Sequence, residues 1–174
     1  MSSCYPFPGR QQGIALIVAL IFLAVLALLG VTIARNSSME ERMAGNTRDR
    51  DLAFQAAEAA LKDAEADLPG YLANAFDGST TGLVTYNPAN ASNAAYWSAY
   101  NWAGASQTAS TSLTDPDSSH VAEEPRYVIE KKPNTGPVPP APGATLHFRL
   151  TARGVGASTS TAVILQAEYE YVYN

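Results

Sequence analysis

The run from Gly13 to Ala34, GIALIVALIFLAVLALLGVTIA, carries neither charge nor proline. About 21 apolar residues at 1.5 Å each span roughly 30 Å, the hydrocarbon thickness of a bilayer, whereas the apolar part of a secretory signal is about 7–15 residues. The segment is therefore long enough to cross a membrane. It also flows without proline into a stretch of helical character that reaches Leu68. The pattern predicts one long helix, apolar first and amphipathic later.

In the amphipathic part, Phe54, Ala57, Leu61, Ala64 and Leu68 recur at spacings of three and four, while Glu58 and Lys62 form an i,i+4 pair off that stripe. These five positions are the expected surface for packing on a globular head. Pro69-Gly70 is the expected stop, because proline has no amide to donate and glycine takes a left-handed cap. Gly30 and Asn36-Ser37-Ser38 are poor helix formers within the long helix, and the Ala44-Gly45-Asn46 step is a third place where it could soften. They mark either the membrane boundary or a bend.

After Leu68 there is room for one modest domain, built on a single core. Residues 70–125 are polar, alanine-rich and loop-like. Their aromatics Tyr96, Trp97, Tyr100 and Trp102 either fill the core beneath this connection or form a partner-binding patch. The stretch from Pro133 to Pro142 is too rich in proline for a central strand and reads as an extended surface loop.

The C-terminal third alternates clearly. Even positions are apolar from Leu146 to Ala152, and odd positions from Val163 to Tyr173, with Gly154 to Ser158 supplying the turn. Two half-buried strands follow, and Tyr127-Val128-Ile129 is a third. Apolar faces pair only if even residues of the first strand lie opposite odd residues of the second, since a slip of one residue exposes the whole set. On the other face, Arg149 and Arg153 would share an exposed surface with Glu168 and Glu170.

Candidate chemistry is sparse. His120 and His147 are the two histidines and Cys4 the one cysteine, and neither histidine has neighbours that suggest a triad or zinc site. Asp115-Pro116-Asp117-Ser118-Ser119-His120 opens like a calcium loop, but His120 stands where glycine is needed and Arg126 where a bidentate glutamate belongs. No enzyme activity, metal or cofactor is expected. A net charge of −5 argues against nucleic acid as a partner.

The N-terminal strings carry a resemblance. MSSCYPFPGRQQG is short, polar and positive at Arg10; no small-residue cleavage site follows the apolar run, and Gly13 stands directly before it. Further on come Glu41-Arg42-Met43-Ala44-Gly45-Asn46 and Ala53-Phe54-Gln55-Ala56-Ala57-Glu58-Ala59-Ala60-Leu61. In that order, over residues 10–68, these strings resemble the N-terminal signature of PilX-type minor pilins of type IV pili. The resemblance implies an α+β, pilin-like fold: a long N-terminal helix packed on a small antiparallel sheet. Residues 1–13 would be a prepilin leader, 14–34 the transmembrane and assembly helix, 35–68 its amphipathic continuation and 69–174 the head.

Further expectations come with the resemblance. Prepilin peptidase would cut between Gly13 and Ile14 and leave Ile14 N-methylated. The fifth residue after that cut, where most type IV pilins carry glutamate, is Val18, an absence shared by PilX-type pilins and by a minor pseudopilin of type II secretion. Implied partners are prepilin peptidase, other minor pilins, the major pilin and the inner membrane, and a large tip adhesin is admitted. Counting Arg35, Arg42, Arg48 and Arg50 against Arg10 would put the head in the cytoplasm, whereas the resemblance puts it in the periplasm. The alternatives are a type II minor pseudopilin and a single-pass, membrane-anchored binding domain.

Overall fold

Helix α1 (Gln12–Tyr71) takes up the first third of the chain. The computed structural model describes residues 12–110, 121–133 and 141–173; the leader through Gln11, His120 with its Asp115–Ser119 neighbours, and most of the proline-rich loop lie outside the described residues. The chain divides into two compact units, Met1–Gly45 and Asn46–Asn174. Helical geometry passes through Gly30, Asn36-Ser37-Ser38 and Gly45 without a break, and Pro69 sits inside the last turn, so the helix ends three residues beyond Leu68. A proline in the last turn forfeits only one bond of a ladder that is ending anyway.

In the first unit every described side chain from Ile14 onward is exposed. In the second unit, the remainder of α1 packs on a sheet formed by β1 (Leu83–Thr85), β2 (Gln107–Thr108), β3 (Arg126–Lys131), β4 (Thr145–Val155) and β5 (Ala162–Val172). The strand order is β1-β3-β4-β5, with β2 also paired to β3. β4 pairs antiparallel with both β3 and β5. The fold is thus α+β and pilin-like, but the sheet is mixed: β1 runs parallel to β3, with Leu83 opposite Ile129. A three-residue strand inside a polar stretch shows too little alternation to be read in advance.

The register of the long hairpin is the one the alternation demands. Leu146 faces Tyr171, Phe148 faces Tyr169, Leu150 faces Ala167 and Ala152 faces Leu165. These even residues of β4, with Tyr127 and Ile129 of β3, form one core with Ala60, Ala64 and Leu68 of α1. The opposite face carries a second core of Trp97, Trp102 and Val128, lined further by Val84, Tyr100 and Ile164.

That second layer is the polar connection, which is more ordered than its composition suggested. It holds a short 3-10 turn at Pro88–Asn90 and helices α2 (Ala94–Ala99) and α3 (Trp102–Ala105). Each is capped by an asparagine: Asn87 accepts from the Ala89 amide, Asn93 from Tyr96 and Asn101 from Gly104. The Trp97 indole donates to the Asn90 carbonyl and the Trp102 indole to the Trp97 carbonyl, both at 2.8 Å. Both tryptophans are buried, whereas Tyr96 is partly exposed at the margin.

Candidate functional site

Charge-free apolar sequence makes the first part of α1 suited to lipid or to another apolar helix and to little else. The helix is long and apolar enough to cross a membrane, and none of its apolar window is buried within the molecule. Ile14 and Val18 are exposed, as are Leu20, Phe22 and Leu26. Thr32, a polar residue within the run, donates its hydroxyl to the Leu28 carbonyl at 2.9 Å, which satisfies a donor that hydrocarbon would leave unpaired. Gly13 lies in the first turn of α1 beside Ile14.

Close approach governs the seam between α1 and the sheet. Ala53, Ala56, Ala57, Ala60, Ala64 and Leu68 are fully buried. Leu61 packs against the core from its edge. Phe54, expected in the stripe, is instead 44% exposed. The reason is at Gly154 of β4, where a Cβ would collide with the Ala53 carbonyl oxygen and the Ala57 amide. Strand backbone touches helix backbone there, so the buried line is made of alanine, and a phenylalanine could not enter it.

Asp49 closes the upper end of that seam. Its Oδ1 accepts from the Ala157 amide at 2.5 Å and the Ser158 amide at 3.3 Å, in the turn between β4 and β5. The Thr161 hydroxyl, followed by these two amides, holds the Asp49 carboxyl below its ordinary value of 3.8. Gly156 has no room for a side chain because the Asp49 carboxylate occupies that space. One helix side chain thus fixes the tip of the long hairpin.

On the other side of the sheet, Arg149 lies on the expected face but is buried instead of exposed. It is 2% exposed and forms a fork-shaped pair with Glu130, itself 1% exposed, through two bonds of 2.6 Å. Its Nη2 also donates to the Asn87 carbonyl at 2.6 Å, and the Tyr86 ring stacks 4.8 Å from the guanidinium. The Glu130 hydrogen bond, foremost, raises the Arg149 pKa. The covering layer explains the burial: residues 86–102 lie over a face that alternation alone would leave in water. Glu168 pairs instead with Lys132, Glu170 with His147 and Arg153 with Glu123.

His147 does point away from the helix-side core, and its Nδ1 lies 3.3 Å from Glu170 Oε1 at the surface. Among the described residues, no group of three His, Cys, Asp or Glu side chains converges as a metal site would require. The arrangement has the character of an assembly element, with an unpartnered apolar helix segment belonging to a chain whose head is braced on both sheet faces.

Comparison with known families agrees with that character. The model described as PilX N-terminal matches residues 12–62, and the model described as Type IV pilus assembly protein PilX C-term matches residues 65–170. No curated protein and no solved structure matches the chain.

Proposed function

Because the chain belongs to the PilX family of type IV pilus assembly proteins, we propose that it is a minor pilin, held in the inner membrane by the first part of α1 with its head in the periplasm, that primes pilus assembly at the filament tip. The observation that carries this reading is the exposed, charge-free run from Ile14 to Ala34. Such a segment moves from lipid to the apolar interior of a filament without exchanging one kind of solvation for another, so incorporation carries little desolvation cost.

Val18 supports the tip position. A carboxylate at this place can pair with the N-terminal amine of an adjacent subunit, and an unpaired charge in the membrane costs at least about 2.5–3.5 kcal/mol on insertion scales. Valine cannot provide that pairing. A subunit that lacks it is ill suited to repeated addition beneath a growing filament, yet the first subunit has no neighbour above whose amine needs a partner. The working partners are accordingly other minor pilins, the major pilin and prepilin peptidase.

Maturation gives the direct test. Prepilin peptidase should cut between Gly13 and Ile14, and the intact mass of protein extracted from membranes should equal residues 14–174 plus one methyl group. Gly13→Val should leave the precursor uncut. Retention of Met1–Gly13 in cells that process their other prepilins would overturn the reading.

A further inference from the structure

A cleft of about 540 Å³ opens in the second unit, on the sheet face opposite α1. Its floor is Arg126 of β3 and Arg153 of β4, and its wall includes Tyr100, Asn101 and Trp102. The two arginines are direct cross-strand partners. Like charges placed opposite each other across an antiparallel pair are destabilising unless each is matched. Among the described residues, one of the two is in an ion pair. Arg153 Nη1 lies 2.5 Å from Glu123 Oε2, whereas among the described residues the polar contact of Arg126 is a stretched 3.5 Å approach to the Ala103 carbonyl, which carries no charge to neutralise it.

We infer that this cleft binds a carboxylate side chain on an acidic peptide segment of another pilus protein, with Arg126 as the principal receptor. A guanidinium offers a planar fork of donors that fits one carboxylate by two parallel bonds. The cleft volume falls in the range of sites that enclose a small molecule, so it admits a glutamate side chain with its flanking backbone and not merely an ion. Tyr100 and Trp102 supply apolar wall for the methylene stem. Glu123 and Glu124 also line the cleft, and their charge disfavours a dianion such as phosphate more than a single carboxylate. Asn101 Oδ1 accepts from the Gly104 amide, which fixes this side chain in the wall. The assembly reading enters only in identifying the source of the peptide; the chemistry stands on the cleft.

Titration of the full chain in detergent micelles tests this, with the intrinsic fluorescence of Trp97 and Trp102 as the readout. The probes are an acetylated Gly-Glu-Gly-Glu-Gly amide, its Gln counterpart, and acetate at matched carboxylate concentration. The glutamate peptide should give a saturable change that weakens as salt is raised. The glutamine peptide and acetate should each give less than a tenth of the response. Arg126→Gln should weaken binding at least tenfold with the circular dichroism spectrum unchanged. Glu123→Gln should instead strengthen it several-fold, because it frees Arg153 to join the carboxylate, an outcome that general loosening of the head would not produce. Equal response to the glutamine peptide, equal response to acetate, or undiminished binding by Arg126→Gln would each overturn the assignment. Processing at Gly13 is read separately from the same preparations, so failure of the cleft and failure of the pilin reading are distinguishable.

Discussion

Removing the Arg149 guanidinium while Glu130 remains would strand a carboxylate that is fully buried between the sheet and its covering layer. Breaking a buried pair by removing one partner costs about 3–5 kcal/mol, whereas replacing both partners with well-packed apolar groups is often close to neutral. Arg149→Met should therefore lower the denaturation midpoint by an amount in that range, and Arg149→Met combined with Glu130→Leu should recover most of the loss. A double variant as unstable as the single one would show that Arg149 acts chiefly through the Asn87 carbonyl it also holds. Residue-scale detail was the least legible part of the sequence. Alternation placed Arg149 correctly on the face away from α1, but nothing in β4 reveals that residues 86–102 fold over that face. Phe54 misled for a different reason: its apolar character at helical spacing marked it as core, while the approach of Gly154 to Ala53 and Ala57 required the smallest side chains.

Among the elements, the two long strands and their register were legible because a half-buried strand must alternate and a slip would expose every apolar residue. The long helix was legible from its apolar run and its missing prolines. For the short helices α2 and α3, the spacing of Tyr96, Trp97, Tyr100 and Trp102 was ambiguous between helix and strand, and Asn93 and Asn101 were capping signals that the surrounding polar composition masked. Asp49 links two of the legible elements, and its effect depends on pH. Its carboxyl is held below the usual value in the folded chain, so its contribution is present above the unfolded pKa and fades as pH falls through the folded one. Asp49→Ala should lower thermal stability at neutral pH and flatten the further loss on acidification below about pH 4. Hydrogen exchange should show faster exchange at the Ala157 and Ser158 amides. An unchanged acid profile with those amides still protected would mean that the hairpin tip holds itself.

At the scale of the whole molecule, the chain has two kinds of surface with different tasks. The second unit satisfies its own apolar demand, with α1 over one sheet face and the tryptophan layer over the other. The first unit buries none of its described apolar side chains, which are exposed from Ile14 onward. A protein so divided has a head that can present surfaces such as the Arg126 cleft, and a helix whose burial is left to lipid or to other subunits. Membership of the PilX family places that helix in type IV pilus assembly, and we propose the tip as its place there. The most direct measurement is immunogold labelling of sheared pili against the head, combined with quantitation of this chain relative to the major pilin. The account predicts label confined to filament ends, a few copies per pilus, and sharply fewer pili in a clean deletion. Dense, uniform label along the shaft, or normal pilus number in the deletion, would contradict it.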